Sequence, residues 1–423
     1  MISAPPAGAL AVLRDAARAV RRLTGSPDEP SRALVLVLTS ACNLRCCYCS
    51  QAQGGTARMS RATLERSLDV LLANPGRKPR VEFYGGEPLL AFDLVRRAVA
   101  YLETRQPAAV EPTLSLTTNG VLMSDEIASW LERHRVATQL SFDGVTAAQD
   151  ARAPGSFAVL DDLLRRLPRG HPTLFHELLG VRVTLTLENL PVLADSIRYL
   201  LARGVRTISV TPLVTPEPWR PAAVRRLEDE VAAVFRASLA HFVETGAIPV
   251  DLARPHAGPA RLHDDSRPLC GYGRSGLLVV DTDGAVLPCA GAVGLRGSGR
   301  EGAAERFLGP LRSGTVFDPD LDETLEAREA RVRTSEVLTH HTSKRSGLAD
   351  CASCPAISEC RACPLATAFL PGNADPHRVA DQACAFTLAC WAARRQFAAA
   401  FAGADGTRRA TVDARPADPP RPT

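Results

Sequence analysis

The chemistry of this sequence is concentrated in its cysteines. The run Cys42-Asn43-Leu44-Arg45-Cys46-Cys47-Tyr48-Cys49 contains C-x3-C-x2-C, three spaced thiols on one short loop. Thiolates are the ligands of iron-sulfur clusters, and a 4Fe-4S cluster takes one ligand per iron, so three cysteines leave one iron open to chelate a small molecule. A zinc loop fits the same spacing, and the run alone leaves both readings open. Cys47 stands out of the motif register and reads as a buried thiol rather than a ligand.

A second group lies far downstream. Cys270, Gly284 and Cys289 form C-x13-G-x4-C, then Cys351-x2-Cys354-x5-Cys360-x2-Cys363 follows, then Cys384 and Cys390. The chain has 12 cysteines, all in these two groups. Such grouping, in a sequence with no secretion signal, points to metal sites rather than disulfides. Twin C-x2-C pairs also suit zinc knuckles.

The elements that must position these thiols are legible from periodicity. Strand-like runs at Ala33 to Thr39, Arg80 to Tyr84, Thr113 to Thr118, Ala137 to Phe142, Val181 to Leu187 and Thr207 to Thr211 alternate with amphipathic helical runs. The helices are Ser60 to Leu72, with Ser60 as N-cap, Phe92 to Thr104, Ser124 to Glu132, Phe157 to Leu167 and Pro191 to Arg203. The repeated βα units predict an α/β fold with an open, partial (β/α)6 TIM-like barrel, whose ligands sit at the carboxyl ends of the strands. From Leu269 onward Gly-rich and Cys-rich stretches replace the periodicity, with a hairpin over Gly276 to Val280, Asp281 to Gly284 and Val286 to Pro288. Arg296 to Ala349 reads as long loops with one charged helix.

Further motifs end the next three strands: Gly85-Gly86-Glu87-Pro88, Thr117-Thr118-Asn119-Gly120 and Ser141-Phe142-Asp143-Gly144. Together with the cysteine loop and Tyr48 before its last cysteine, they resemble the radical S-adenosylmethionine (SAM) superfamily. The resemblance implies that Cys42, Cys46 and Cys49 hold the radical-generating cluster. It also implies that Gly85, Gly86, Glu87 and Pro88 hold the SAM amino group, the glutamate by pairing with the ammonium. Asn119, Ser141 and Asp143 would face SAM, Ser141 at its ribose or carboxylate. A weaker echo follows at Gln149-Asp150-Ala151-Arg152 and Gly155-Ser156-Phe157, where related peptide-modifying enzymes have His-Asp in place of Gln149-Asp150. A helix terminus with a solvated Arg152 explains that stretch equally well.

The downstream cysteines resemble the SPASM domain, a small cysteine-rich α+β domain of peptide and protein maturases. By that resemblance Cys270, Cys289 and Cys363 hold a first auxiliary cluster, and Cys351, Cys354, Cys360 and Cys384 a second. The implied cofactors are SAM and three iron-sulfur clusters, all 4Fe-4S. Two residues rather than the family's three separate Cys360 from Cys363. Cys390 could complete the first cluster but reads rather as a structural thiol; Tyr272, Asp281 and Asp283 lie near the auxiliary ligands, and hairpin structure explains each equally well.

The implied activity is that of a radical SAM peptide maturase. It would cleave SAM reductively to a 5'-deoxyadenosyl radical, abstract hydrogen from a ribosomally made peptide and drive its oxidation, chiefly cross-link formation. The alternatives are an oxidoreductase acting on a small metabolite, a formylglycine-forming sulfatase maturase and a non-catalytic metal scaffold. Sulfatase maturases carry an aspartate after the cysteine corresponding to Cys289, and here Ala290 stands there. No residue is assignable as general base.

The domain boundaries expected are 1–32 as an N-terminal helical extension with a helix from Ala9 to Leu23, 33–215 as the barrel, 216–268 as a helical cover, 269–395 as the SPASM domain and 396–423 as a disordered tail. A 32-residue extension is too short for a leader-binding domain. The expected partners are a precursor peptide and a reductase such as flavodoxin or ferredoxin, with leader recognition falling to a separate leader-peptide-binding protein or to the barrel and SPASM surfaces. The net charge of +4 on 423 residues gives no support to a nucleic-acid partner. No long apolar run and no secretion signal point to a cytoplasmic protein with no membrane span.

Overall fold

The computed structural model describes residues 32–49, 55–73, 79–105, 111–213, 219–254, 276–295, 313–335, 343–360, 375 and 377–413. The expected helix from Ala9 to Leu23, and Cys270, Tyr272 and Cys363, lie outside the described residues.

Six parallel strands follow one another across the sheet: β1 (Ala33–Thr39), β2 (Arg80–Gly85), β3 (Thr113–Thr118), β4 (Ala137–Ser141), β5 (Leu179–Leu185) and β6 (Ile208–Pro212). The crossovers carry α1 (Arg61–Ala73), α2 (Phe92–Arg105), α3 (Asp125–Arg133), α4 (Thr146–Arg152), α5 (Phe157–Gly170) and α6 (Leu193–Ala202). This is a partial TIM-like barrel. Ser60 caps α1 by accepting from Thr63 N at 3.0 Å, and Ser124 caps α3 by accepting from Ile127 N at 3.2 Å. Strand β5 ends two residues before the expected Leu187. There Thr186 N donates to Asn189 Oδ1 at 2.8 Å and Asn189 Nδ2 to Thr184 O at 2.8 Å, a side-chain turn that competes with further pairing.

The hairpin is not confined to a separate domain. Its first strand, β7 (Leu277–Val280), lies parallel to β1, with Ala33 opposite Leu277 and Leu36 opposite Val280, and β8 (Val286–Leu287) pairs antiparallel beyond it. The cysteine-rich region thus extends the barrel sheet, which becomes eight-stranded. Helix α7 (Pro221–Thr245) covers the barrel, and α8 (Leu321–Thr334) meets the hairpin, where Arg328 Nη2 donates to Leu277 O at 2.8 Å.

Strand periodicity separates two faces. Leu34, Leu36, Leu38, Val81, Phe83, Leu116, Leu140 and Val183 enter the main core with the helices. The alternate residues Glu82, Thr117, Gln139, Ser141, Arg182 and Ser209 share the opposite, inner face. In register, Thr117 lies opposite Gln139, Ser141 opposite Arg182, and Arg182 opposite Ser209. A closed eight-fold barrel fills its interior with branched apolar side chains. From β2 to β6 this inner face is largely polar, whereas Val35 and Val37 of β1, on the same side, pack into an apolar cluster with Val279.

The expected disordered tail is corrected. Helix α9 (Asp381–Asp413) runs through much of it. Cys390, Ala393, Phe397, Phe401 and Ala404 recur every three or four residues as an apolar stripe against α7, with Phe397 5.7 Å from Phe235 and Phe401 5.8 Å from Phe242 between ring centroids. Overall composition hid that stripe among alanines.

Candidate active site

Where β1 ends, the chain turns into the cysteine loop. Cys42 and Cys49 are exposed and Cys46 is buried. Cys49 N donates to Cys46 O at 3.1 Å, and Leu44 N to Cys42 Sγ at 3.4 Å. Burial pushes the Cys42 thiol up, and the nearby Glu87, Cys46 and Cys49 add to the shift, while the Leu44 N–H opposes it. Cys47 departs from expectation in being exposed. Its Sγ donates to Ala151 O at 3.1 Å and its N to Arg152 O at 3.3 Å, which ties the loop to the end of α4.

The end of β2 clasps the same loop. Gly85 has φ +141°, and a Cβ there would stand 2.4 Å from Thr39 O; a Cβ on Gly86 would stand 2.3 Å from Ala41 O. Only glycine lets the two backbones meet so closely, and Gly86 N and Glu87 N donate to Thr39 O and Ala41 O, each at 2.8 Å. Pro88 then opens a 3-10 turn, Pro88–Ala91, capped by Glu87.

Glu87 itself is fully buried and used within the chain. Its Oε1 accepts from Leu89 N at 3.0 Å and Thr118 Oγ1 at 2.7 Å, and Oε2 from Asn119 N at 2.8 Å. Burial raises its pKa against these hydrogen bonds. Asn119 reaches back to the loop, its Nδ2 3.8 Å from Cys42 Sγ and 2.8 Å from Asn43 Oδ1. The glutamate, expected to meet an ammonium, is thus first a brace between the ends of β2 and β3. A carboxylate oxygen has two lone pairs, and one on Oε2 is not used by these bonds.

Ser141 is half-buried at the end of β4 on the inner face. Asp143, expected to face SAM, is instead enclosed. Its Oδ1 accepts from Thr184 N at 2.8 Å and Arg152 Nη1 at 3.3 Å, and its Oδ2 from Tyr48 Oη at 3.2 Å. Gln149 Oε1 accepts from Asp143 N at 3.0 Å, and its Nε2 donates to Ser156 Oγ at 2.8 Å. The solvated reading of Arg152 is therefore wrong, because its side chain is buried and ion-paired. Thr118, Tyr48, Gln149 and Arg152 join the site as residues to which sequence alone gave no role in it. Tyr48 and Gln149 stood inside segments marked by the motifs, but their partners are distant in sequence.

Downstream, Cys351, Cys354 and Cys360 occupy two short 3-10 turns and their ends, and Cys384 the first turn of α9. Burial and then the neighbouring thiols of Cys384, Cys360 and Cys354 push Cys351 up to about 11. Cys360 packs against the small apolar cluster of Val379 and Cys384. Arg394 on α9 ion-pairs with Glu359 and donates to Leu252 O at 3.1 Å, linking this thiol group to the barrel edge. Cys289 and Tyr84 each pack against the small apolar cluster that includes Val35, Val37 and Val279. Cys390 sits in the main core, where burial raises its thiol to about 12. Asp281 and Asp283 serve the hairpin turn, accepting from Thr282 N at 2.7 Å and Ala285 N at 3.1 Å.

Among the described residues, no three His, Cys, Asp or Glu side chains close around one point as a mononuclear ion requires. The thiols of Cys42, Cys46 and Cys49, on a loop clasped by Gly85 and Gly86, are donors of the kind that hold an iron-sulfur cluster.

Residues 36–184 match the radical SAM superfamily. An uncharacterized protein of Methanocaldococcus jannaschii is 28% identical over 188 residues, covering 42% of this chain and 60% of that protein. GTP 3',8-cyclase of Mycobacterium marinum is 31% identical over 241 residues, covering 52% of this chain and 62% of the cyclase. The chain thus spans about three fifths of the length of these curated relatives. Two solved structures share the fold. Native anSMEcpe with bound AdoMet and Kp18Cys peptide matches at TM-score 0.67 and 16% identity, over 89% of this chain and 100% of its own. Streptococcus suis SuiB bound to precursor peptide SuiA matches at TM-score 0.54 and 16% identity, over 88% of this chain and 80% of its own.

Proposed function

We propose that this chain, whose residues 36–184 form a radical SAM domain, is an oxidative peptide maturase. When bound, SAM and the cluster supply a 5'-deoxyadenosyl radical able to take hydrogen from an unactivated carbon. In this reading Cys42, Cys46 and Cys49 hold the radical cluster, and Gly85, Gly86, Glu87, Pro88, Asn119 and Ser141 shape the SAM seat. Asp143 supports that seat from behind. Cys289, with Cys270 and Cys363, holds one auxiliary cluster, and Cys351, Cys354, Cys360 and Cys384 hold the other.

The observation that carries the reading is the parallel pairing of β7 with β1, which joins the hairpin directly before Cys289 to the strand that leads into the cysteine loop. An electron-accepting cluster there would stand beside the inner face where a substrate carbon meets the radical. In this reading residues 33–215 form the barrel and 269–395 the auxiliary-cluster region, joined through β7. A precursor peptide is the substrate, a flavodoxin or ferredoxin the electron source, and a separate protein the reader of the leader. Peptides in the anSMEcpe and SuiB structures support a peptide guest.

A second reading, a small metabolite, is favoured by the GTP 3',8-cyclase similarity and the polar inner face. Mass spectrometry of short peptides encoded beside the gene, co-expressed with the enzyme, decides between them. A mass loss of about two hydrogens supports the maturase; unchanged peptides, with GTP consumed in the presence of SAM and dithionite, would reject it.

A further inference from the structure

Glu82, in the middle of β2, is the carboxylate on the inner face of the described strands, and its hydrogen bonding is far from filled. Glu87 and Asp143, just past the ends of β2 and β4, each accept three hydrogen bonds from the chain. Glu82 accepts one, from Thr117 Oγ1 to Oε1 at 3.2 Å. Its Oε2 has no hydrogen-bond or ion-pair partner among the described residues. The side chain is half-buried, and that oxygen is open to the barrel interior.

The neighbouring strands offer no replacement. Register places Val35 on one side of Glu82 and Ser115 on the other. Val35 belongs to an apolar cluster, and the Ser115 hydroxyl donates to Val81 O at 3.4 Å. This face of the strands carries two cations, Arg80 on β2 and Arg182 on β5, and neither forms an ion pair with Glu82 among the described residues. A carboxylate withdrawn from water costs free energy unless donors or a cation replace the water. Burial accordingly pushes the Glu82 carboxyl up, and the Thr117 hydroxyl and the charges of Arg182 and Arg80 oppose that rise without cancelling it. Glu82 stands three residues before Gly85, so a group held there lies about 10 Å along the strand from the clasp on the cysteine loop.

We infer that Glu82 is a specificity-determining residue whose open oxygen takes an ammonium or guanidinium group, so that the substrate is a peptide with a lysine or arginine that enters the barrel. The inference rests on the reading of the chain as a peptide maturase and names the class of peptide. A cation supplies the charge-assisted hydrogen bond that the chain itself leaves unmade. A neutral side chain of the same length leaves the carboxylate unpaired and is rejected on that account.

The test is affinity selection from a library of synthetic, amidated hexapeptides by the anaerobically reconstituted full chain with SAM, read by mass spectrometry. The parent chain is expected to enrich peptides with Lys or Arg about tenfold over matched norleucine peptides. Glu82→Gln should lose most of this preference, Glu82→Asp should keep part of it, and Glu82→Lys should favour acidic peptides. Carbodiimide coupling of a selected lysine peptide to the parent chain, followed by peptide mapping, should place the new amide bond on Glu82, a readout that does not depend on a variant's folding. A basic preference undiminished in Glu82→Gln, coupling at another carboxylate, or a parent preference for acidic peptides, which would give recognition to Arg182, overturns the inference. Capture of no peptide by the parent chain would instead sink the peptide reading beneath it.

Discussion

The Glu87 carboxylate accepts the main-chain N–H of Asn119 at 2.8 Å, so one side chain locks the end of β2 to the end of β3 directly beneath the cysteine loop. Replacing it by Gln leaves one acceptor oxygen and turns an amide N–H toward existing donors. Glu87→Gln is expected to cost about 2 kcal/mol, and Thr118→Val about 1 kcal/mol, read by urea unfolding of the full chain. An unchanged midpoint in Glu87→Gln would mean that the brace carries no stability.

Changing Cys42, Cys46 and Cys49 together to Ala should abolish 5'-deoxyadenosine formation with dithionite while the iron bound by the downstream thiols stays. Chromatography of the nucleoside products and iron analysis check both halves. Continued 5'-deoxyadenosine production would place the radical cluster elsewhere.

Ala290 opens the 3-10 turn Ala290–Leu295 just after Cys289, where an acid would be needed for formylglycine formation. A sulfatase-derived Cys or Ser peptide should therefore stay unmodified under conditions in which SAM is cleaved. Formylglycine in the mass spectrum would reverse this exclusion.

Burial raises Asp251 to about 6, against the hydrogen bond from Val210 N at 3.3 Å and the charges of Arg254 and Arg182. Cys390, the other titratable group beside it, stays neutral over the accessible pH range. A carboxyl raised in the folded state binds its proton more tightly there than in the unfolded chain. Its stabilisation is present below the ordinary carboxylate pKa and is lost as pH rises through about 6. Asp251→Asn should thus match the parent at pH ~4 and exceed it by about 1–2 kcal/mol at pH ~8, a value discounted for a half-buried side chain. Parallel unfolding curves at both pH values would show that Asp251 does not titrate with folding.

The auxiliary thiols should serve oxidation of the substrate rather than cleavage of SAM. Cys351→Ala with Cys354→Ala is expected to keep SAM cleavage measurable, lower bound iron and reduce peptide conversion at least tenfold. Undiminished conversion in a soluble variant with an intact N-terminal cluster would rule this division out. The division is one of role, because the hairpin before Cys289 is itself part of the barrel sheet through the pairing of β7 with β1.

What was legible in the sequence follows the range of the forces involved. Strand and helix existence rests on local periodicity, and the Ser60 and Ser124 caps on hydrogen bonds three residues away, so both were readable. The Cys47 to Ala151 bond spans 104 positions, and no spacing rule announces it. Arg152 looked solvated because its counter-ion is a motif residue already assigned elsewhere. Helix α9 was hidden because two phenylalanines among alanines look sparse by composition, although their spacing puts them on one face.

The parallel pairing of β1 with β7 has a consequence for biosynthesis. Strand β1 is seven residues long and buried throughout, yet its neighbour on one side, Leu277–Val280, is far downstream. While the ribosome makes the intervening segments, the nascent barrel presents an unpaired, almost wholly apolar strand edge, the kind of surface on which chains join one another. Pairing so remote in sequence also closes slowly, because the entropy of closing the loop is lost before the strands meet. A fragment ending before Leu277 is therefore expected to aggregate during expression, and the complete chain to benefit from chaperones until its hairpin docks.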